Sequence, residues 1–168
     1  MSSKQSWLIW NRLIVADTGP LIALARVEQL DVLPALFQRV LLTPIVLAEC
    51  EARPDRGEGH HIRAALEAGC FALQAPRDAL PELGIDPGET SALALALEHS
   101  ASVLMDDKAG RSVARQLGVS VIGTVGVLVL AKRRGLLSRL HPLLESPMAS
   151  GYFLTPNQVN EALRLAGE

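Results

Sequence analysis

Short apolar runs that each lead into an acidic residue constrain the fold of this chain more than any other feature. Four of them occur: residues 13–16 before Asp17, 45–48 before Glu49, Ile85 and its turn before Glu89, and 103–105 before Asp106 and Asp107. A carboxylate is costly to bury, so an acid at the end of a core element is hydrated, paired or bound to a cation. Acids gathered at one edge would repel one another, by about 4 kcal/mol for a pair ~4 Å apart at an effective dielectric constant of about 20. A divalent cation among them would remove that cost.

Strand-like and helix-like segments alternate along the chain. We predict strands at residues 13–16, 39–42, 71–73, 102–105 and 119–122. We predict a loop at 52–61 and helices at 19–27, 31–37, 44–51, 62–68, 90–99, 109–117, 125–134 and 156–166. Alternation of this kind indicates crossover units and a parallel sheet. The strands are continuously apolar, which is typical of a sheet covered by helices on both faces. The predicted class is therefore α/β.

This architecture brings the acidic residues toward one place. In open parallel sheets, ligands bind outside the carboxyl ends of the strands, where the strand order reverses. Asp17 and Asp106 follow strands directly, and Glu49 lies one helical turn beyond a strand. Glu89 lies at a helix N-terminus that faces the same crevice. We expect these side chains to share one pocket.

Carboxylate oxygens are the hard ligands that suit Mg²⁺ or Mn²⁺ rather than zinc. The two cysteines, Cys50 and Cys70, have no metal-ligand spacing and imply no disulfide framework, which favours a reduced, cytoplasmic setting. A divalent cation in such a site can activate water and offset the charge of a phosphate. Metal-dependent phosphodiester hydrolysis is the chemistry that this pattern favours.

Each acid also has a purely structural explanation. Asp17, and one of the two consecutive aspartates, could cap the helix that follows it. Glu49 could be a solvated helix residue, and Glu89 forms a capping box with Asp86. The sequence leaves both explanations open for each of these residues.

Basic and hydroxyl side chains lie close to the acidic ones. Lys108, Arg111 and Arg115 recur at helical spacing and could either meet substrate phosphates or form an ordinary solvated face. Thr124 could bond a phosphate or a carboxylate, or cap the next helix. The net charge is −2, so a nucleic-acid partner would need a local basic patch.

The length of 168 residues suits one domain. We predict that residues 1–12 form an N-terminal extension and that 136–168 form a C-terminal helical segment. The longest apolar stretch, 119–131, is interrupted by Ser, Thr and Gly and is too short to span ~30 Å, so no membrane segment is expected.

Several stretches of this sequence together resemble PIN-domain proteins, a family of Mg²⁺-dependent ribonucleases that includes the VapC toxins of bacterial toxin–antitoxin pairs. More narrowly, the chain is similar to an uncharacterised PIN-like subfamily. The stretches are 15–24 (VADTGPLIAL), 44–49 (PIVLAE), Gly88-Glu89, 104–108 (LMDDK) with Gly110-Arg111, and 122–124 (IGT). The resemblance covers roughly residues 13–135.

The resemblance implies a three-layer α/β/α fold with a central parallel sheet of about five strands and an acidic pocket at the strand ends. The acids that it assigns to metal binding and catalysis are Asp17, Glu49, Glu89, Asp106 and Asp107. We assign Thr18, Lys108, Arg111 and Thr124 to substrate binding. Mg²⁺ or Mn²⁺ is the implied cofactor, RNA the substrate, and a cognate antitoxin and a second copy of the chain the protein partners. The family usually has Asp where Glu89 stands, and often Thr or Ser where Met105 stands.

Two other functions compete with a toxin-like endoribonuclease. One is a non-catalytic PIN-like module that binds RNA or protein and keeps a vestigial acidic pocket. The other is a phospho-accepting receiver domain, which also groups acids with a Thr and a Lys. Receivers carry their acid pair after the first strand, whereas the pair here comes late in the chain, which argues against that class.

Overall fold

A five-stranded parallel sheet forms the centre of the molecule. The computed structural model describes residues 13–145 and 154–168 of the chain. The strands are β1 (Leu13–Ala16), β2 (Arg39–Leu42), β3 (Ala72–Leu73), β4 (Ser102–Leu104) and β5 (Val121–Ile122). Their order is β3-β2-β1-β4-β5, and all neighbouring pairs are parallel. The chain thus builds outward from β1 in one direction and then in the other, which confirms the predicted sheet and places the order reversal between β1 and β4.

The strand register aligns the ends of β1 and β4. Val15 is level with Val103, and Ala16 with Leu104. The backbone amide of Asp17 then donates to the Leu104 carbonyl at 3.0 Å. The first residue after β1 is therefore fixed at the carboxyl edge of the sheet, beside the end of β4.

Helices connect the strands and follow the sheet. They are α1 (Thr18–Arg26), α2 (Val32–Leu36), α3 (Pro44–Glu51), α4 (Glu58–Glu67), α5 (Pro87–His99), α6 (Lys108–Gln116), α7 (Thr124–Arg133), α8 (His141–Glu145) and α9 (Pro156–Ala166), with a short 3₁₀ helix at Pro54–Arg56. Side chains fix several of their starts: Thr43 caps α3, and capping boxes begin α5 and α9. Such caps satisfy backbone amides that have no partner inside the helix.

The two faces of the sheet bury separate apolar clusters. Along β1, Ile14 and Ala16 point into one cluster and Val15 into the other, as strand geometry requires. Leu24 of α1 belongs to the first cluster and Leu93 of α5 to the second, and both are fully buried. Burying side chains of this size contributes about 1.5–3 kcal/mol each. The sheet is thus covered on both faces, and the three-layer α/β/α fold is confirmed.

The predicted loop at 52–61 is wrong from residue 54 onward. A 3₁₀ turn follows there, and α4 begins at Glu58 instead of residue 62. Arg26 of α1 donates to Glu58 at 2.6 Å, which holds the first turn of α4 in place. An acid in that turn also suits the helix dipole. This ion pair joins residues far apart in sequence, so local polarity alone suggested a loop.

Element ends differ elsewhere by a few residues. Helix α5 begins at Pro87 instead of residue 90, and β5 begins at Val121 instead of residue 119. Val119 is not free to extend that strand, because its amide donates to Ala114 at 2.9 Å and closes α6. The predicted extension at residues 1–12 lies outside the described residues.

Within the predicted C-terminal segment, helices α8 and α9 are described. Helix α9 packs on α7 and buries Ala162 and Ala166. None of the helices in residues 13–145 and 154–168 is long and apolar enough to cross a membrane.

Candidate active site

Asp17 is a buried carboxyl group at the carboxyl edge of the sheet. It occupies the N-cap position of α1, yet its side chain makes no capping hydrogen bond. Only 5% of the residue is exposed, and Oδ1 has no hydrogen-bond partner in the described part of the chain. Burial and the nearby carboxylates of Glu89, Asp86 and Glu49 together raise the pKa of Asp17 to about 8, against an opposing hydrogen bond from the Thr18 backbone. A helix cap does not explain this side chain.

Glu49 is held by two donors from different helices. The Thr18 hydroxyl of α1 donates to Oε2 at 2.6 Å, and the Gly88 amide of α5 donates to Oε1 at 3.1 Å. The carboxylate thus lies at the N-terminus of α5, where the helix dipole favours negative charge. Glu49 is therefore not the solvated helix residue that the sequence allowed. Thr18, which we assigned to substrate binding, uses its hydroxyl to position this acid.

The Glu49 carboxylate fits against a glycine. A Cβ atom on Gly88 would lie 2.3 Å from Glu49 Oε2, which no side chain can accommodate without displacing the acid. Behind it, Ser91 donates to the Gly88 carbonyl at 2.9 Å and accepts a 2.7 Å hydrogen bond from Thr43. Sequence reasoning missed this buried hydroxyl pair, because two small polar residues 48 positions apart carry no local pattern.

Glu89 caps its own helix, as predicted, and is also buried. Its amide donates to Asp86 Oδ1 at 2.8 Å, and its Oε2 accepts from the Asp86 amide at 3.2 Å. The residue is only 6% exposed. A Cβ on Gly110 would lie 3.3 Å from Oε1, so the carboxyl group rests against the start of α6. Burial and the charges of Asp86, Asp107 and Glu49 together raise the pKa of Glu89 to about 7, against an opposing hydrogen bond from the Asp86 backbone.

The consecutive aspartates serve different helices. Asp107 is exposed and caps α6 by accepting from the Gly110 amide at 2.9 Å. Asp106 is half-buried, and both of its carboxylate oxygens accept from Thr124, one from the backbone amide at 2.8 Å and one from the hydroxyl. Of the roles open to Thr124, the structure shows a bond to a carboxylate. Asp106 therefore turns toward β5 and the start of α7.

Two of the predicted basic residues begin α6 next to these acids. Lys108 is exposed, whereas Arg111 is half-buried. A Cβ on Gly123 would lie 2.9 Å from Asp106 Oδ1 and 3.2 Å from Arg111 Nη1, so the aspartate and the guanidinium both lie against this glycine. Arg111 Nε is buried without a hydrogen-bond partner in residues 13–145 and 154–168.

The predicted acids thus divide into a cluster and a neighbour. Asp17, Glu49 and Glu89 form the cluster, with Asp86 at its edge, because the charges of Glu89, Asp86 and Glu49 raise the pKa of Asp17, and those of Asp86, Asp107 and Glu49 raise the pKa of Glu89. Sequence reasoning treated Asp86 only as a cap. Asp106 is the neighbour: it lies toward β5 and accepts hydrogen bonds from a different residue. No three His, Cys, Asp or Glu side chains of the described residues stand ready to hold one metal ion. The acids are neighbours, not an assembled ligand shell.

A thiol also lies near the cluster. Cys50 is buried, and burial followed by the charges of Asp17 and Glu49 raises its pKa to about 12. A thiol that stays protonated at neutral pH is a poor metal ligand and a poor nucleophile. The chemistry available here is that of carboxyl oxygens.

Comparisons with known proteins agree with this architecture. A solved structure, a PilT N-terminus domain protein from the hyperthermophilic archaeon Sulfolobus solfataricus P2, superposes with a TM-score of 0.54 at 18% sequence identity, over 77% of this chain and 97% of that one. At that identity the likeness concerns the fold alone. No curated protein matches the sequence. The family model described as PIN domain matches residues 13–168. Because this match spans nearly the whole sequence, the chain belongs to the PIN-domain family.

Proposed function

We propose that this protein is a divalent-metal-dependent endoribonuclease that hydrolyses RNA phosphodiester bonds with Mg²⁺ or Mn²⁺. The observation that carries the proposal is Asp17 Oδ1, a buried carboxyl oxygen without a partner in the described residues, surrounded by other acids. A buried polar atom without a hydrogen bond is costly, and such atoms concentrate at functional sites. Membership of the PIN-domain family supports a nuclease.

The residues present fit a hard divalent cation. The donors are carboxyl oxygens, which Mg²⁺ and Mn²⁺ prefer. Two of the acids, Asp17 and Glu89, have pKa values raised to about 8 and about 7. Near neutral pH, protons and a cation would therefore compete for these two carboxyl groups. Since no three such side chains of the described residues are arranged around one point, loading would require proton release and a rearrangement of acidic side chains.

Within this proposal the acids have different tasks. Asp17 and Glu89 would hold the cation, with Asp106 or Asp107 completing its ligands. Glu49 is anchored by two protein donors and would keep the start of α5 in place while contributing charge. A bound divalent cation supplies positive charge for the phosphate and makes water a better nucleophile.

The basic side chains at the start of α6 would bind the RNA. Lys108 is exposed, and Arg111 has a buried Nε without a partner in the described residues. Lys108 follows the acid pair directly and Arg111 lies in the first turn of the same helix, so both are near a phosphate bound next to the acids. Arginine suits this role because its planar group donates in a fixed fork to phosphate oxygens.

The biological setting follows from the resemblance to VapC toxins. On that basis we propose a cytoplasmic toxin, a cognate antitoxin protein that restrains it, and a homodimer. The toxin role in the cytoplasm, the antitoxin partner and the homodimer remain predictions.

A non-catalytic binding module is the second candidate. It is favoured by the oxygens that protein donors already satisfy: Thr18 and Gly88 bind Glu49, and Thr124 binds both oxygens of Asp106. In a vestigial pocket these hydrogen bonds would remain, and the carboxylates would not require a bound cation.

RNA cleavage by the purified full-length chain decides between the two. Single-stranded RNA is incubated with wild type in Mg²⁺, Mn²⁺ or EDTA, and with the Asp17→Asn variant. Asp31→Asn is the matched control, since Asp31 also precedes a helix without capping it but is exposed. We expect metal-dependent cleavage by wild type and Asp31→Asn, and a loss of at least about 100-fold in Asp17→Asn with an unchanged circular dichroism spectrum. Equal cleavage by all three proteins would reveal a contaminant and remove the proposal.

A further inference from the structure

A groove of about 720 Å³ opens beside Asp106, between the edge strand β5 and helices α7 and α9. Its lining is mainly aliphatic: Ile122 of β5, Val125 and Val129 of α7, and Leu165 of α9 contribute. Leu165 is 44% exposed, so the apolar surface is open to solvent. A surface of this kind is a candidate for binding a flat, weakly polar group.

One end of the groove belongs to the proposed active site. Asp106 and Arg111 line it there, and both lie beside Gly123. Because the half-buried Arg111 lines this end, its guanidinium places a positive charge there that an anionic group would meet. A ligand that reaches from this end along the groove would therefore carry a negative charge at one end and an apolar surface behind it.

The remaining polar groups of the groove do not oppose such a ligand. Glu161 is neutralised by a bidentate pair with Arg164, with contacts of 2.7 and 2.9 Å. Asn157 and Gln158 place amide side chains on the same wall. The Gln158 carbonyl oxygen accepts from the Thr155 amide at 2.8 Å, which fixes the direction of that side chain. Amides are suited to the hydrogen-bonding edges of nucleobases.

We propose that this groove holds the nucleoside next to the scissile phosphate of a single-stranded RNA, with the phosphate at Arg111 and the base against the aliphatic lining. The proposal rests on the proposed nuclease function and adds where the strand lies. Only an unpaired nucleotide can turn its base into a groove of this kind, so this placement requires a single-stranded RNA. The presence of Asp106 and Arg111 in the groove lining joins it to the proposed active site, which favours RNA over a protein ligand.

RNA affinity of the full-length chain tests this placement. A fluorescein-labelled single-stranded RNA is titrated in EDTA, so that binding is measured without cleavage. In Leu165→Glu a charge replaces an apolar side chain of the groove. Leu136→Glu is the matched control, because Leu136 is also 44% exposed but does not line the groove. We expect the dissociation constant to rise at least about tenfold in Leu165→Glu and to stay unchanged in Leu136→Glu.

A second pair of variants tests the amide wall. Asn157 lines the groove, whereas Asn160 is an exposed asparagine of the same helix outside it. We expect Asn157→Ala, but not Asn160→Ala, to change the relative affinities for RNAs that differ in one base.

Equal affinities of Leu165→Glu and Leu136→Glu would overturn the groove proposal, and if wild type still cleaves RNA the nuclease proposal survives. Unchanged RNA affinity combined with altered self-association of Leu165→Glu would overturn it in favour of a protein-docking surface. Failure of wild type to cleave any RNA, with the affinity difference intact, would remove the nuclease function and leave an RNA-binding groove.

Discussion

Thr18 donates its hydroxyl hydrogen to Glu49 Oε2 across 2.6 Å, and this bond joins the residue after Asp17 to an acid 31 positions along the chain. The Gly88 amide completes the clamp from a third helix. Three helix segments around the carboxyl edge of the sheet are therefore tied together by one carboxylate. The position of Glu49 depends on these two donors.

Removing the Thr18 hydroxyl tests this dependence. Thr18→Val keeps the shape of the side chain but removes the donor, so Glu49 keeps only the Gly88 amide. Since misplaced charge weakens transition-state stabilisation, we expect kcat for RNA cleavage to fall at least about tenfold with KM little changed. Thr18→Ser restores the donor and should restore most of kcat. A variant without the hydroxyl that retains full kcat would show that the clamp has no catalytic role.

Gly88→Ala tests the space beside the same carboxylate. The new Cβ would lie 2.3 Å from Glu49 Oε2, so Glu49 must move. We expect a loss of about 1–3 kcal/mol in the free energy of unfolding and a strong loss of cleavage. Gly19→Ala is the control, because nothing lies within 4 Å of a Cβ at that helical position. Urea unfolding and cleavage rates measure both effects, and equal behaviour of the two variants would contradict the close approach.

The raised pKa of Asp17 predicts how stability depends on pH. The folded chain keeps this proton up to about pH 8, whereas an unfolded aspartate releases it near its ordinary value of 3.8. Between these values the folded state binds more protons, so the free energy of unfolding of the metal-free protein should fall as pH rises. The pKa of Glu89, which is raised from 4.5 to about 7, adds to the same trend.

Asp17→Asn removes the titratable group with the larger of these two pKa shifts. In EDTA we expect the variant to be stabilised relative to wild type at pH 8, and much less so at pH 5, with urea unfolding as the measurement. The difference is on the order of a few kcal/mol. A wild-type stability that rises from pH 5 to pH 8 would mean that the buried acid is ionised throughout.

The sequence predicted the sheet and the place of Asp17 well, because both follow from local patterns. An apolar run that ends at an acid, followed by helix signals, specifies the end of β1 without knowledge of distant residues. The capping box of Asp86 and Glu89 was equally readable. What remained open was whether a capping glutamate is also buried against other acids, since burial depends on how α5 and α6 pack.

Features that depend on distant partners were not accessible from the sequence. The Arg26–Glu58 pair joins α1 to the first turn of α4, in a segment with loop-like composition. Asp106 turns toward Thr124 because β5 brings that threonine alongside the end of β4. The consecutive aspartates thus take separate roles, which a single sequence could not assign. The hydrogen bond between Thr43 and Ser91 also joins residues far apart in the sequence, so it was not accessible from local patterns.

Cation binding by the acid cluster is the measurement that tests the account most directly. Mn²⁺ is titrated into the full-length protein and free ion is counted by electron paramagnetic resonance, at pH 8 and at pH 5.5. We predict binding by wild type and by Asp31→Asn that weakens at the lower pH, where protons compete for Asp17 and Glu89. Asp17→Asn should bind far more weakly at both values. Wild type that leaves all Mn²⁺ free at pH 8, or Asp17→Asn that binds it as tightly as wild type, would contradict a shared metal site.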